Sequence, residues 1–161
     1  MPGIDWPEAY RPTATAVHVR NEILIAASPE RIWAWLIRAR LWPDWYENAK
    51  DVVIDGNAAD LSPGARFHWK TFGLAIESVV GQFVPFQHLG WTGVGLGMDV
   101  YHGWLLEPVD GGTHVLTEEN QNGLAARAQS VLAPNRMQTY HQIWLESLKR
   151  NAERGAPPAS L

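Results

Sequence analysis

The stretch that decides the fold is residues 136–154, RMQTYHQIWLESLKRNAER. Bulky side chains recur in it at spacings of three and four residues, which places them on one side of an α-helix. These side chains belong to Met137, Tyr140, His141, Trp144, Leu145 and Leu148. We expect Asn135 to cap the start of the helix and Gly155 to end it. Because the inner face also carries polar atoms, this long helix either closes a core or forms one wall of a pocket.

The amino-acid composition restricts the class of protein to which this helix can belong. The chain has 161 residues, 46% of them hydrophobic, which fits one globular domain with a sizeable core. A formal net charge of -4 without a basic stripe argues against nucleic acid as a partner. The absence of cysteine excludes disulfides, thiol catalysis and thiolate metal sites. With no apolar run of membrane-spanning length, we expect no membrane insertion and a cytoplasmic protein.

The order of predicted elements indicates an α+β domain. An extended arm over 1–16 precedes a half-buried strand over 17–26, and Ser28 then caps a short helix that is followed by a second one over 43–47. Six further strands are predicted over 52–54, 65–72, 76–84, 88–94, 99–107 and 113–121. Their short connections predict an antiparallel meander, and a helix over 124–132 leads into the closing helix.

Four runs of the sequence resemble one known superfamily. They are ILIAASPERIWAWLIRARLWPDWYENA (23–49), PGARFHW (63–69), HGWLLEPVDGGTHVLTEE (102–119) and WLESLKRNAE (144–153). Together they resemble the START/Bet v 1-like (SRPBCC) superfamily, in its bacterial polyketide cyclase/dehydrase branch. The resemblance implies a helix-grip fold, in which a bent antiparallel sheet of about seven strands wraps around the C-terminal helix. It also implies a deep apolar cavity, within a ligand-binding domain over 17–155 that lies between the arm and a tail over 156–161.

The candidate chemistry is a histidine beside a pair of glutamates. The PVDGG turn (108–112) predicts a hairpin, and with Leu105 opposite Val115 it places His102 opposite Glu118. A slip of one residue places His102 beside Thr117 or Glu119 instead. Period-two alternation favours Glu119 as the inward carboxylate, and burial would raise its pKa toward that of a general base. The alternative is a structural cross-strand pair, in which the two side chains only meet each other's hydrogen-bonding needs.

Other catalytic and metal signatures are missing from the sequence. None of the six histidines shows the HExxH spacing of a metal site, so neither a metal nor another cofactor is expected. Gly93, Gly95 and Gly97 end a predicted strand without a following helix, which argues against a phosphate-binding loop. We interpret them as a hairpin with little side-chain bulk at the mouth of a pocket.

Nine tryptophans indicate an aromatic cavity wall as well as a core. The candidate ligand-binding residues are Trp33, Trp69, Trp91, Trp104, Tyr140 and Trp144. Three functions stay open: a carrier for a small hydrophobic molecule (lipid, polyketide-like or aromatic), a cyclase or dehydratase that uses Glu119 and His102, and a protein-interaction module. The carrier is the preferred hypothesis, as a monomer or a homodimer, and the interaction module has the least support.

Overall fold

Seven antiparallel strands form one bent sheet in the computed structural model, which describes residues 3–159. The strands are β1 (Val17–Ile25), β2 (Lys50–Ile54), β3 (Arg66–Thr71), β4 (Leu74–Val84), β5 (His88–Gly95), β6 (Met98–Val109) and β7 (Gly112–Asn122). Their spatial order is β1-β7-β6-β5-β4-β3-β2, so the meander from β2 to β7 brings the chain back to β1. The predicted α+β helix-grip architecture is confirmed.

Four helices accompany the sheet. They are α1 (Pro29–Ile37), α2 (Trp42–Trp45), α3 (Leu124–Leu132) and α4 (Arg136–Arg154). The first two connect β1 at one edge of the sheet to β2 at the other edge. Within residues 3–159, no helix is both long and apolar enough to span a membrane.

The sequence predicts the terminal residue at three helix ends, and the structure agrees with two of these predictions. Ser28 caps α1 as predicted, because its hydroxyl accepts a hydrogen bond from the Arg31 backbone N–H. Gly155 follows the last residue of α4. The predicted cap at Asn135 is wrong in its chemistry, because this residue precedes α4 with helical dihedral angles and its side chain makes no capping bond. A capping side chain requires an extended backbone at that position, which Asn135 lacks.

A cluster of tryptophans fills the space between the sheet and α4. Trp42 from α2 and Trp144 from α4 meet Trp69, Trp91 and Trp104 from the sheet, with neighbouring ring centroids 5.1–6.4 Å apart. Each of the five residues is at most 5% exposed. Large aromatic side chains therefore occupy much of the space between the sheet and α4.

The β6–β7 hairpin has a different register from the one first expected. Leu105 pairs with Leu116 and not with Val115, and His102 pairs with Glu119. The strands continue to Val109 and Gly112, which leaves a turn of two residues where five were predicted. This shorter turn shifts every pair by one residue, so the pairing of His102 with Glu118 is wrong and the alternative with Glu119 is observed.

The N-terminal arm crosses the outer face of the sheet. Ile4 packs there against Tyr101, Leu105 and Leu116, and a Cβ atom at Gly103 would lie only 2.7 Å from an Ile4 methyl group. The arm is also held by polar contacts near its end, including a 2.6 Å hydrogen bond from the Tyr10 hydroxyl to Asp99 Oδ1. Residues 1–2 of the predicted arm and 160–161 of the predicted tail lie outside the described residues.

Two strand glycines provide a matched test of this packing. A Cβ atom at Gly112 would lie 2.2 Å from the backbone carbonyl oxygen of Ile25, whereas a Cβ atom at Gly81 would have no neighbour within 4 Å. We expect Gly112→Ala to lower the free energy of unfolding by about 1–3 kcal/mol, because β1 and β7 must move apart. Gly81→Ala should stay within about 0.5 kcal/mol of wild type in urea denaturation. Equal effects of the two changes would contradict the described β1–β7 packing.

Candidate functional site

Three titratable side chains from three elements meet inside the domain. His102 projects inward from β6, Glu119 from the paired position on β7, and His141 from the buried face of α4. Glu119 Oε2 lies 3.0 Å from His102 Nδ1 and 3.2 Å from His141 Nε2. The side chains are 2%, 10% and 2% exposed for His102, Glu119 and His141 respectively. We call these three residues the His–Glu–His cluster.

Neighbouring polar groups hold two members of the cluster in place. His102 Nε2 lies 2.7 Å from the hydroxyl of Thr117, which also lies 3.3 Å from the backbone carbonyl oxygen of Gly103. Gln121 donates a 2.6 Å hydrogen bond to Glu119 Oε1. His141 Nδ1 is buried without a hydrogen-bond partner among the described residues. The cluster therefore retains an unused polar atom on the helix side.

The electrostatics of the cluster differ from the expectation for a general base. Burial by itself raises the pKa of Glu119, but His102 and His141 within hydrogen-bonding distance outweigh burial and hold that pKa well below its usual range. Burial also lowers the pKa of His102, and the nearby carboxylate opposes this effect only in part. The expected upward shift at Glu119 is thus wrong, because two imidazoles stabilise the ionised form.

A small cavity adjoins the cluster. Its volume is about 30 Å³, which is roughly the space that one water molecule occupies. Its aromatic lining consists of Tyr46, Trp69, Phe72, Trp91 and Trp144, and its polar lining includes all three residues of the cluster. This cavity is much smaller than the deep one expected, because the tryptophan side chains occupy much of the space between the sheet and α4.

The structure brings together only part of the predicted aromatic set. Trp69, Trp91 and Trp144 line the cavity. Trp104 lies behind the cluster, with its ring stacked on His102 at a centroid distance of 5.4 Å. The other two predicted residues do not line the cavity.

Those two residues have other surroundings. Trp33 packs on Phe83 with ring centroids 5.0 Å apart. Tyr140 packs on Phe72 at 5.4 Å, and it lines an outer groove on the far side of that ring. Gly93, from the predicted pocket mouth, lines the cavity, whereas no residue of α1 does.

Sequence reasoning missed two residues of the site. His141 is placed on the inner face of the closing helix by the sequence but is not among the candidate site residues, although its spacing from Met137, Trp144 and Leu145 puts it in the middle of the buried face. Tyr46 directly follows α2, and its ring stacks on Trp144 at a centroid distance of 4.4 Å. The local sequence gives no signal for Tyr46, because its position depends on how α2 meets α4.

Comparison with known proteins gives a family for the chain and a set of similar structures. A family model described as polyketide cyclase / dehydrase and lipid transport matches residues 16–153. The hypothetical protein jhp0584 from Helicobacter pylori is 30% identical with a TM-score of 0.87, and the match covers 94% of this chain and 97% of that chain. None of the curated proteins matches.

Two more distant structures share the fold. The di-domain ARO/CYC StfQ from the steffimycin biosynthetic pathway is 15% identical with a TM-score of 0.70, over 86% of this chain and 51% of that chain. The Aha1 dimer from Colwellia psychrerythraea is 22% identical with a TM-score of 0.65, over 88% and 99%. Such distant likenesses concern the fold alone, since this architecture serves unrelated functions.

The adjacent carboxylates Glu118 and Glu119 allow a test of the cluster. They are 6% and 8% exposed, but Glu118 points to the outer face and pairs with the half-exposed Arg20. We expect Glu119→Gln to lower the free energy of unfolding by about 1–3 kcal/mol, because both imidazoles lose a charged partner. Glu118→Gln should cost less, about 1 kcal/mol, because Arg20, its only charged partner within residues 3–159, is half-exposed to water and the amide can still accept its hydrogen bond. Thermal or urea unfolding of the two variants measures the difference, and a larger loss at Glu118 would refute the assignment.

Proposed function

The chain belongs to the polyketide cyclase / dehydrase and lipid transport family, and we propose that it binds a small hydrophobic molecule between the sheet and α4. The observation that carries the proposal is a buried aromatic wall facing a single polar end. Trp69, Trp91 and Trp144 offer flat apolar surfaces, and the His–Glu–His cluster lies beside them. Sites for small apolar molecules combine such a wall with a few polar groups that orient the ligand.

Binding requires the cavity to enlarge, since pockets for such molecules measure roughly 300–1,000 Å³. Phe72 is the best-placed side chain to move, because it lines both the cavity and the outer groove that contains Tyr140. It lies in the β3–β4 turn with a φ of 52°, next to Gly73 with a φ of 77°. We infer that a ligand enters where this ring separates the cavity from the surface.

The polar end favours a second candidate function, proton transfer on an enolisable substrate, in which His102 takes the proton and the ionised Glu119 stabilises the resulting imidazolium. Glu119 and His102 are in contact at the cavity wall, and each is buried. Tyr46 lines the cavity and is suited to stabilising a developing oxyanion. Burial raises the pKa of the Tyr46 phenol, so this group keeps its proton and stays a hydrogen-bond donor.

A change in the size of one cavity residue tests the binding proposal. Val100 lines the cavity and is 7% exposed, whereas Val94 at the end of the neighbouring strand is 56% exposed. We expect a panel of fatty, sterol and polycyclic aromatic compounds to include ligands that shift the tryptophan fluorescence of the wild-type protein. Val100→Phe should weaken their binding by about tenfold or more, because the added ring occupies the cavity. Val94→Phe should bind like wild type.

Two results of this experiment would contradict the binding proposal in different ways. Equal affinity in both valine variants would place the ligand elsewhere on the protein. Failure of the whole panel to bind wild-type protein, by fluorescence and by calorimetry, would reject the proposal.

The enzymatic alternative has a separate test. If the protein turns over an enolisable poly-β-ketone or aromatic ketone, Glu119→Gln should lower kcat by roughly two to four orders of magnitude while substrate affinity changes little. Glu118→Gln is the matched control and should leave kcat near the wild-type value, because its side chain points to the outer face. A Glu119→Gln variant as active as wild type would rule out proton transfer that depends on Glu119, and the absence of any turnover by wild type would leave the carrier as the remaining function.

A further inference from the structure

We propose that His102, Glu119 and His141 form a binding site for one divalent transition-metal ion, such as Zn²⁺ or Fe²⁺. Two imidazoles and one carboxylate are a donor set that these ions use in proteins, with at least one coordination position left open. The sequence carries no signal for this site, since its members are 17 and 22 residues apart and lie on three different elements. The proposal goes beyond the binding of a hydrophobic molecule and does not depend on it.

The spacing of the three donor atoms suits a metal ion. His102 Nδ1 lies 3.0 Å from Glu119 Oε2, and His141 Nε2 lies 3.2 Å from the same oxygen. No two of the three donor atoms are more than 4.8 Å apart. Ligand atoms that surround one ion at about 2.0–2.2 Å are themselves about 3–4 Å apart, so small rotations of the side chains suffice.

The surrounding hydrogen bonds resemble those that orient metal ligands. The Thr117 hydroxyl oxygen lies 2.7 Å from His102 Nε2, where it can accept a hydrogen bond from Nε2–H and so leave Nδ1 free for the ion. Gln121 holds the second oxygen of Glu119 and leaves Oε2 directed at the two imidazoles. His141 Nδ1 is a buried nitrogen without a partner among residues 3–159. It can therefore take the ring proton when Nε2 binds the ion.

The charge of the cluster also favours a cation. A buried carboxylate requires a compensating charge or strong hydrogen bonds. Among the described residues, no lysine or arginine is buried, and Arg20 pairs with Glu118 on the opposite face of the sheet. A divalent ion held by the three residues supplies the compensating charge directly.

The open coordination position faces the cavity. The cavity of about 30 Å³ has room for a water molecule beside the cluster. A bound ion could there polarise the carbonyl oxygen of a ligand or lower the pKa of the water. In this arrangement Trp104 and Trp144, which pack on His102, exclude bulk water from the ligands.

The experiment uses the full-length protein, stripped with a chelator and titrated with Zn²⁺ or Co²⁺ by calorimetry. We expect one ion per chain, and saturating Zn²⁺ should raise Tm by about 5 °C or more. Millimolar Mg²⁺ should give no such shift, because that ion prefers an all-oxygen site. An X-ray absorption spectrum of the zinc-loaded wild type should contain imidazole ligands at about 2.0–2.1 Å. This measurement needs no variant and therefore does not depend on one that folds.

Two histidine variants locate the ion. His141→Gln should weaken binding by at least about tenfold, since even supporting residues of metal sites contribute that much. His88→Gln is the matched control, because His88 also has an unpartnered Nδ1 among the described residues but lies outside the cluster. It should bind like wild type.

Three results would overturn the proposal. They are no stoichiometric binding of Zn²⁺ or Co²⁺ by wild type, a His141→Gln variant that binds as tightly as wild type, and a zinc spectrum without imidazole. Failure here leaves the binding of hydrophobic compounds untouched, because that property is measured separately with the Val100 and Val94 variants.

Discussion

The packing of Trp144 against the concave face of the sheet is the interaction on which the rest of the structure depends. Its ring stacks on Tyr46 at 4.4 Å and meets Trp42 and Trp104 edge to face at 5.2 and 5.1 Å. These contacts join α4 to the short helix α2 and to the central strands. A large aromatic side chain at this point contributes both apolar burial and directional ring contacts. The position of α4, and with it the position of His141, follows from this packing.

The same packing creates an electrostatic constraint. An interior filled with indole rings offers few hydrogen bonds, so an ionised group there needs its own polar partners. The domain meets this need locally, with His102, Gln121 and His141 around Glu119. Such concentrations of buried titratable groups beside a cavity are where binding and catalysis are most often found. The polar cluster and the aromatic wall line the same cavity, which is why we propose them as one site.

The same packing explains why the cavity of this protein is small, although its family is described as polyketide cyclase / dehydrase and lipid transport. The side chains that would contact a ligand, Trp69, Trp91 and Trp144, now contact one another. In the binding proposal these contacts are replaced by contacts with the ligand, and Phe72, which lines both the cavity and the outer groove, is the side chain proposed to move.

By itself, the sequence determined the elements and the family. The three- and four-residue spacing along α4, the alternation along the strands and the Ser28 cap are local patterns, and local patterns follow from backbone geometry. Even the choice of Glu119 over Glu118 came from alternation. Only the tertiary structure decided the register of the β6–β7 hairpin, the filled interior and the third member of the cluster. These features depend on a two-residue turn and on how α4 crosses the sheet. Neither can be inferred from the sequence spacing of His102, Glu119 and His141.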